Sequence, residues 1–397
     1  MVKVGEEFVR TEVQFIPAKL KVIDHYRETY ECRSCRKNGT PYMEKAPVPY
    51  PPVLHSLASA STIAWLIHQK FELGIPLYRQ EKEWEALGLC LSRATLSNWL
   101  LVVYRDWLIH IVHRLKQELL KQRYLHIDET HVQVLKEPGR KNTSDSYMWV
   151  YCSIRDAVNP IRYFEYQPGR SGKYPEAFLR EYEGYIHTDA YSGYNAVSGV
   201  KRCLCYTHLR RAFVDALPKD IHNSEASKPA EAILRLNQFF NIESELEALP
   251  PDQKKKERLI REKPLLEAFW SWAEKSAIGE LPKSKLSKAF HYALNNREGF
   301  FHYLEDGNCS ISNSLAENCI RPFVIGRKNW LFSGSPKGAE ASAGIYTLVE
   351  TAKANGLAPM KYIKYILSDM PGSAFLEHPE YLDDYLPWKP LVKEFCR

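Results

Sequence analysis

The sequence predicts an α/β protein: a mixed-sheet domain with a helical insertion, preceded by a helical region and a small cysteine-bearing unit. Two observations carry this. Apolar residues recur at helical spacing over residues 53–122, alternate over 124–135, and return to helical spacing after Leu217. Between those switches, three strand-like runs follow one another, and later runs alternate with short helical ones. With 45% hydrophobic residues in 397, there is ample apolar material for a large core.

Residues 1–52 read as a separate unit with short alternating runs at 8–15 and 19–23 and a Cys32-Arg-Ser-Cys35 turn. The exit Pro47-Val-Pro-Tyr-Pro-Pro52 reads as a linker, because proline lacks the N–H that helices and central strands need. The first ten residues are charged and hold no apolar signal stretch. The longest apolar run, Trp99-Leu-Leu-Val-Val-Tyr104, is far short of the roughly 20 residues that span a bilayer. The expectation is a cytoplasmic protein with no membrane partner.

Residues 53–123 form the predicted helical region, with helices at 54–71 and 77–87 and a long one to about residue 122 that Ser92 caps. The second and third, joined through Gly88-Leu-Cys-Leu91, have helix-turn-helix proportions and are a candidate DNA-binding unit. Strands follow at 124–135, 146–154 and 161–166, then a helix at 174–182 and a strand at 185–188 that ends at Asp189. A fifth strand at 202–206 leads into a helix at 208–217. A meander of three strands followed by alternating strands and helices resembles the ribonuclease H-like fold. That catalytic domain is expected over 124–335, with an insertion at about 218–310 predicted as helices 229–249, 252–264, 265–276 and 284–304. A helix at 311–320, capped by Ser312 or Asn313, returns to the sheet, and 336–397 is a C-terminal helical region.

Fifty-four Lys and Arg against 48 Asp and Glu leave a charge of +6, which alone names no partner. Its distribution says more: residues 201–213 carry four bases and no acid, while the tail after Ser368 holds six acids against three bases. Nine cysteines, an odd number in a long chain, argue against a secreted disulfide framework.

Three acids occupy positions that can converge: Asp128 within the first long strand, Asp189 at the end of the fourth, and Glu317 on the returning helix. Carboxylate oxygens are hard ligands suited to Mg²⁺ or Mn²⁺, and two such ions roughly 4 Å apart serve phosphoryl transfer. Glu129 is excluded as a partner of Asp128, because adjacent strand residues face opposite sides. His208, Arg210 and Arg211 follow the fifth strand and suit phosphate contacts. Arg327-Lys-Asn-Trp330, expected in a loop, mixes bases with an indole able to stack on an unpaired base. Cys205-x-x-His208, with Cys203 nearby, does not assemble four zinc ligands and reads as buried thiols beside a hydrogen-bonded histidine.

The stretches His126-Ile-Asp-Glu-Thr130, Thr188-Asp-Ala-Tyr-Ser-Gly-Tyr194, Cys205-Tyr-Thr-His-Leu-Arg-Arg211 and Ser312-Asn-Ser-Leu-Ala-Glu-Asn-Cys-Ile-Arg-Pro322 occur in this order. Gly326-Arg-Lys-Asn-Trp-Leu-Phe332 and Glu350-Thr-Ala-Lys-Ala-Asn-Gly356 follow, with Ile75-Pro-Leu-Tyr-Arg-Gln80 and Leu91-Ser-Arg-Ala-Thr-Leu96 upstream. Together they resemble transposases of the insertion sequence 66 family, within the group that uses an Asp-Asp-Glu triad. The resemblance runs from about residue 10 to 370.

It implies that Asp128, Asp189 and Glu317 bind two Mg²⁺ or Mn²⁺ ions, with Asp128 bridging both. Water would cleave a phosphodiester at a transposon end, and the freed 3′-hydroxyl would attack target DNA. His208, Arg210, Arg211, Arg321, Arg327, Lys328 and Trp330 are the expected DNA contacts. The partners implied are double-stranded DNA, further copies of the chain assembled on it, and accessory proteins. Relatives carry a second cysteine pair upstream of the position of Met1, so Cys32 and Cys35 stand as half of a zinc-ribbon-like site. Asn313-Ser314 stands where many relatives have two asparagines. The alternatives are a same-fold nuclease that cuts without joining, and a truncated, non-catalytic copy that occupies transposon ends.

Overall fold

The computed structural model describes residues 6–15, 18–218 and 227–397; residues 1–5 and 16–17 of the N-terminal unit and 219–226 at the start of the insertion lie outside the described residues. In the N-terminal unit, β1 (Thr29–Glu31) and β2 (Met43–Lys45) pair antiparallel around the short α1 (Arg33–Lys37). The described residues of the runs at 8–15 and 19–23 form no regular element and lie exposed. The proline-rich exit docks at its end: the Trp107 indole donates to the Pro52 carbonyl (2.8 Å), and Tyr50 lies edge-on to the same indole.

The helical region contains α2 (Ala60–Ile67), α3 (Leu77–Ala86), α4 (Arg93–Val103) and α5 (Ile109–Leu120). The first begins later than the apolar pattern suggested, because Ser59 caps it by accepting from the Thr62 N–H. Ser92 caps α4 through the Thr95 N–H (3.1 Å), and α4 and α5 run on from one another through a widened turn. Leu96, Trp99, Leu100 and Val103 of α4 face the core, while Ser92, Arg93, Ala94 and Asn98 stay exposed.

The sheet is built from β3 (Tyr124–Val134), β4 (Asp145–Ser153), β5 (Arg162–Gln167), β6 (Gly184–Thr188) and β7 (Val200–Leu204), with α6 (Lys173–Phe178) after β5. The strand order is β5-β4-β3-β6-β7: β3, β4 and β5 form an antiparallel meander, and β6 and β7 add parallel to β3. Strand β7 ends two residues earlier than expected. Tyr206 turns off the sheet to begin α7 (Tyr206–Val214), and its buried ring packs against Phe239, Phe300 and Tyr303.

The insertion comprises α8 (Lys228–Glu245), α9 (Pro251–Glu257), α10 (Lys263–Ala277), α11 (Lys285–Asn295) and α12 (Arg297–Phe301) around its own aromatic core. The single helix expected over 284–304 is broken at Asn296, whose side-chain amide donates back to the Tyr292 carbonyl (2.8 Å). Arg258 is fully buried and spends all five N–H donors: two on Glu243 (2.6 and 2.7 Å) and three on the carbonyls of Tyr303, Asp306 and Cys309 (3.0, 3.0 and 2.8 Å). This fork fixes the path by which the chain leaves the insertion.

The chain then forms α13 (Ser314–Trp330), β8 (Phe332–Ser333), α14 (Pro336–Ala354), α15 (Pro359–Asp369) and α16 (Pro390–Cys396). Strand β8 adds parallel to the far end of β3, a pairing with no forewarning in so short a run. Helices α13 and α14 cover the sheet face that bears Val150, Cys152 and Phe164; Tyr151 and Tyr163 on the opposite face pack against Phe178 of α6. Helix α14 is apolar nearly all round, as a buried helix must be. At Gly344 it passes so close to Tyr104 that a Cβ would meet the ring at 2.1 Å.

Helix α14 also seals the edge strand β5. Thr347 and Thr351 accept from the backbone N–H groups of Phe164 (2.8 Å) and Arg162 (3.0 Å), donors that no further strand takes up. Thr347→Val keeps the shape and removes the acceptor, leaving a buried N–H unpaired. A loss of about 1–3 kcal/mol is expected in urea unfolding, with Thr347→Ser close to wild type; equal stability of the valine variant would contradict the sealing role.

Candidate active site

The sheet face beneath α13 carries an unusual row. The strand registers place Arg162, Cys152, His126, His187 and Cys203 side by side across β5, β4, β3, β6 and β7. The His126 and His187 rings stack at 4.2 Å. The segment returning from the insertion lies along this row. Ser310 N–H donates to His187 Nε2 (2.9 Å), and the Asn313 side chain spans His126 Nδ1 (3.0 Å) and the Ile127 carbonyl (2.7 Å). The Asn313 N–H donates to Cys205 Sγ (3.1 Å), and the Cys319 thiol meets Cys152. Asn313 does stand at the N-terminus of α13, but neither it nor Ser312 caps the helix with its side chain. The Asn313 amide is committed to β3 instead, which ties the start of α13 to the strand bearing Asp128.

Asp128 lies on this same face, two residues along β3 from His126. Continuing the β3–β6 register by two places sets Asp189 beside Asp128. Glu317 sits in the first turn of α13. Burial pushes the Asp128 carboxyl up to about 7, and the charges of Glu129, Asp189 and Glu317 add to the rise. Asp189 and Glu317 stay accessible, at 29% and 28% of their side-chain surfaces. Asp128 therefore feels the charges of both other expected acids. Among the described residues the three do not draw all their donor oxygens within 4.8 Å of one another; that closeness is reached by Cys205, His208 and Glu317, and by His187, Cys203 and Cys309.

Glu129 points to the other side, as strand alternation requires. One of its oxygens accepts from Arg170 (2.6 Å) and the other from the Tyr194 hydroxyl. Arg170 reaches round to within 4.0 Å of Asp189 and stacks on Tyr191. The Asp189 turn is held from beneath by Arg202, which donates to the carbonyls of Asp189 (2.6 Å) and Tyr191 (2.8 Å) and to the hydroxyl of Thr188 (2.7 Å). Neither Arg170 nor the structural role of Arg202 was read from the sequence. Arg170 follows a strand in a Gly-Arg-Ser-Gly loop that offers only a weak cue, and Arg202 counted merely as part of a basic cluster.

His208 Nδ1 stands 3.7 Å from Glu317 Oε1; both atoms are buried and make no hydrogen bond, so His208 is not the hydrogen-bonded histidine expected. Arg210 is engaged inside the protein with Asn237 (2.7 Å), whereas Arg211 is exposed. Residues 327–330 are not a loop but the last turn of α13, which the strong helical pattern of 314–330 extends past Pro322. Arg327 donates to the Thr130 hydroxyl (3.2 Å) and the His131 carbonyl, and the Trp330 indole packs on the main core with Lys70 over it. Arg321 and Lys328 are exposed, and both fall on the helical stripe of Glu317.

In the N-terminal unit, the Cys32 and Cys35 thiols are free and share a hydrogen bond. Among the described residues no third donor joins them, and a tetrahedral zinc needs two more ligands than this pair supplies.

Residues 55–341 match the family described as "Transposase IS66 family", and residues 1–36 match the "zinc-finger binding domain of transposase IS66". Among curated relatives, "Uncharacterized protein y4hP" of Sinorhizobium fredii (strain NBRC 101917 / NGR234) is 26% identical over 98% of this chain and 71% of its own length. "Uncharacterized protein y4jD" from the same strain is 26% identical over 95% of this chain and 74% of its own. The mixed sheet and its helices are thus compatible with a transposase-type protein. The chain belongs to the IS66 family of transposases. No helix among the described residues is long and apolar enough to cross a membrane.

The crowding of Asp128 has a measurable consequence in protein freed of divalent ions. Its folded-state value near 7 lies above the ordinary 3.8, so the folded state holds a proton that the unfolded state has already released. Stability therefore falls as pH rises from about 4 to about 7, and the penalty is complete above that range. Asp128→Asn cannot ionise. In EDTA it should unfold later than wild type at pH 8, by on the order of a few kcal/mol, with the advantage gone at pH 4. A variant no more stable than wild type at pH 8 would contradict the crowding.

Proposed function

We propose that this protein cuts DNA strands at the ends of an insertion sequence and joins them to target DNA on a ribonuclease H-like sheet, with Asp128, Asp189 and Glu317 as the metal-binding carboxylates. The observation that carries the reading is the Asp128 carboxyl raised by burial and by Glu129, Asp189 and Glu317. A buried carboxyl raised by the charges around it calls for a positive counter-charge, and buried Glu317 Oε1 has no hydrogen-bond partner. Hard oxygen donors of this kind fit Mg²⁺ or Mn²⁺. The strand order supports the fold reading: an antiparallel meander of three strands and two parallel additions, with an acid within the first and another just past the fourth.

Bound by these carboxylates, a divalent ion would polarise phosphate oxygens and make water or a 3′-hydroxyl a better nucleophile. The chain's own residues supply the rest. Asn313 seats the first turn of α13 and with it Glu317, while Arg202 holds the backbone around Asp189. His208, beside Glu317 and 28% exposed, can exchange a proton with a group bound there. Arg321 and Lys328 extend from Glu317 along α13 as a track for a phosphate backbone, and Arg211, exposed on α7, offers a further base. The exposed N-terminal face of α4 is the surface proposed to meet duplex DNA.

Incubation with end-containing DNA and Mn²⁺ tests this. Wild type should yield nicked and joined products, and Asp128→Ala, Asp189→Ala and Glu317→Ala should each abolish both while leaving DNA binding within a few-fold. Full activity of any variant removes that residue from the site; nicks without joints reduce the protein to a nuclease, and binding without cleavage to an occupant of ends. Arg321→Glu with Lys328→Glu should weaken binding and flatten its salt dependence by about one log-log unit per lost phosphate contact. An unchanged slope would remove the α13 track.

A further inference from the structure

Apart from the carboxylates, the sheet holds a second convergence of ligand-type side chains. His187 of β6, Cys203 of β7 and Cys309, at the exit from the insertion, place one donor atom each within 4.8 Å of one another, and all three residues are buried. The Cys309 thiol is in hydrogen-bond contact with both Cys203 and His187. The His187 ring is already set for ligation. Its Nδ1–H donates to the Leu125 carbonyl (3.1 Å), which fixes the tautomer and leaves the Nε2 lone pair directed at the 309–310 segment. A backbone carbonyl on the far nitrogen is the usual outer support of a metal-binding histidine. Nothing in the proposed chemistry of Asp128, Asp189 and Glu317 uses this trio.

We propose that His187, Cys203 and Cys309 form a binding site for a thiophilic cation of the zinc type, which clips the exit of the insertion to β6 and β7. Two sulfurs and one imidazole are a soft donor set that favours zinc over Mg²⁺ or Mn²⁺, so this site and the carboxylate centre select different ions. Three protein ligands leave a fourth position for a non-protein ligand such as water. Binding exchanges the two thiol protons for the cation, and Nε2 gives up the Ser310 N–H for the metal. The clip is structural: His187 lies two residues before Asp189, and Cys309 eight before Glu317, so it would stiffen both arms of the carboxylate centre.

The test uses the full chain carrying Cys32→Ser and Cys35→Ser, which removes the N-terminal thiols from the reading. After EDTA treatment and anaerobic loading with Co²⁺, this protein should show a near-ultraviolet thiolate-to-cobalt band. It should also retain about one equivalent of zinc after dialysis. Adding Cys203→Ser or Cys309→Ser should remove both signals, with circular dichroism checking the fold of each variant. A folded double variant with neither signal overturns the proposal, as does a band that survives both further substitutions. A second measurement needs no change at the site. In the Cys32→Ser/Cys35→Ser protein under mild urea, zinc should slow alkylation of Cys203 and Cys309 at least ten-fold relative to Cys396; equal rates at all three would overturn it. Both readouts are independent of DNA cleavage, so their failure would leave the proposed strand chemistry standing.

Discussion

The architecture depends on how the segment that leaves the insertion is laid across the sheet. Asp128 and Glu317 are far apart in sequence, with a second hydrophobic core folded between them. Nothing local can set their separation. It is set by a line of polar and sulfur contacts: Ser310 on His187, Asn313 on His126 and Ile127, and Cys319 on Cys152. Each contact satisfies a group that would otherwise be buried unpaired, so sliding the segment would cost several hydrogen bonds at once. Arg258, with every donor occupied, fixes the same segment from the insertion side.

Against that rigid seating, the acidic centre is a local destabilisation that the scaffold tolerates. A carboxyl raised to about 7 by burial and by like charges would relax if its strand could turn it outward. It cannot, because Asp128 is paired with Val150 of β4 and Glu129, the neighbour facing the other way, is itself held by Arg170 and Tyr194. Charges held close without mutual neutralisation are a common signature of functional sites. The cations nearby are placed for other work: Arg202 supports the Asp189 backbone, and Arg170 bridges Glu129 towards Asp189.

Much of this was legible in the sequence. Period-two alternation marked β3, β4 and β5 to within a residue or two, and Ser92 announced the start of α4. The acids Asp128 and Asp189 stood out because charge is conspicuous in or beside an apolar strand. What stayed hidden was whatever depends on partners distant in the chain. Asn313 looked like a helix cap, since a cap and a cross-link to β3 use the same amide. Arg327 and Trp330 looked like free loop residues because the packing of Trp330 against Tyr346 and under Lys70 leaves no trace in local pattern. The break at Asn296 was masked by apolar residues that keep recurring on both sides of it.

The proposed divalent-cation centre draws its carboxylates from β3, the end of β6 and the first turn of α13. Iron-mediated backbone cleavage tests this most directly: Fe²⁺ with ascorbate replaces the native ion and cuts the chain where it binds. Fragments from three cuts are expected, near residues 128, 189 and 317, and they should disappear together under excess Mg²⁺ and in Asp128→Asn. Cuts confined to one of these positions, or a pattern indifferent to Asp128→Asn, would contradict it.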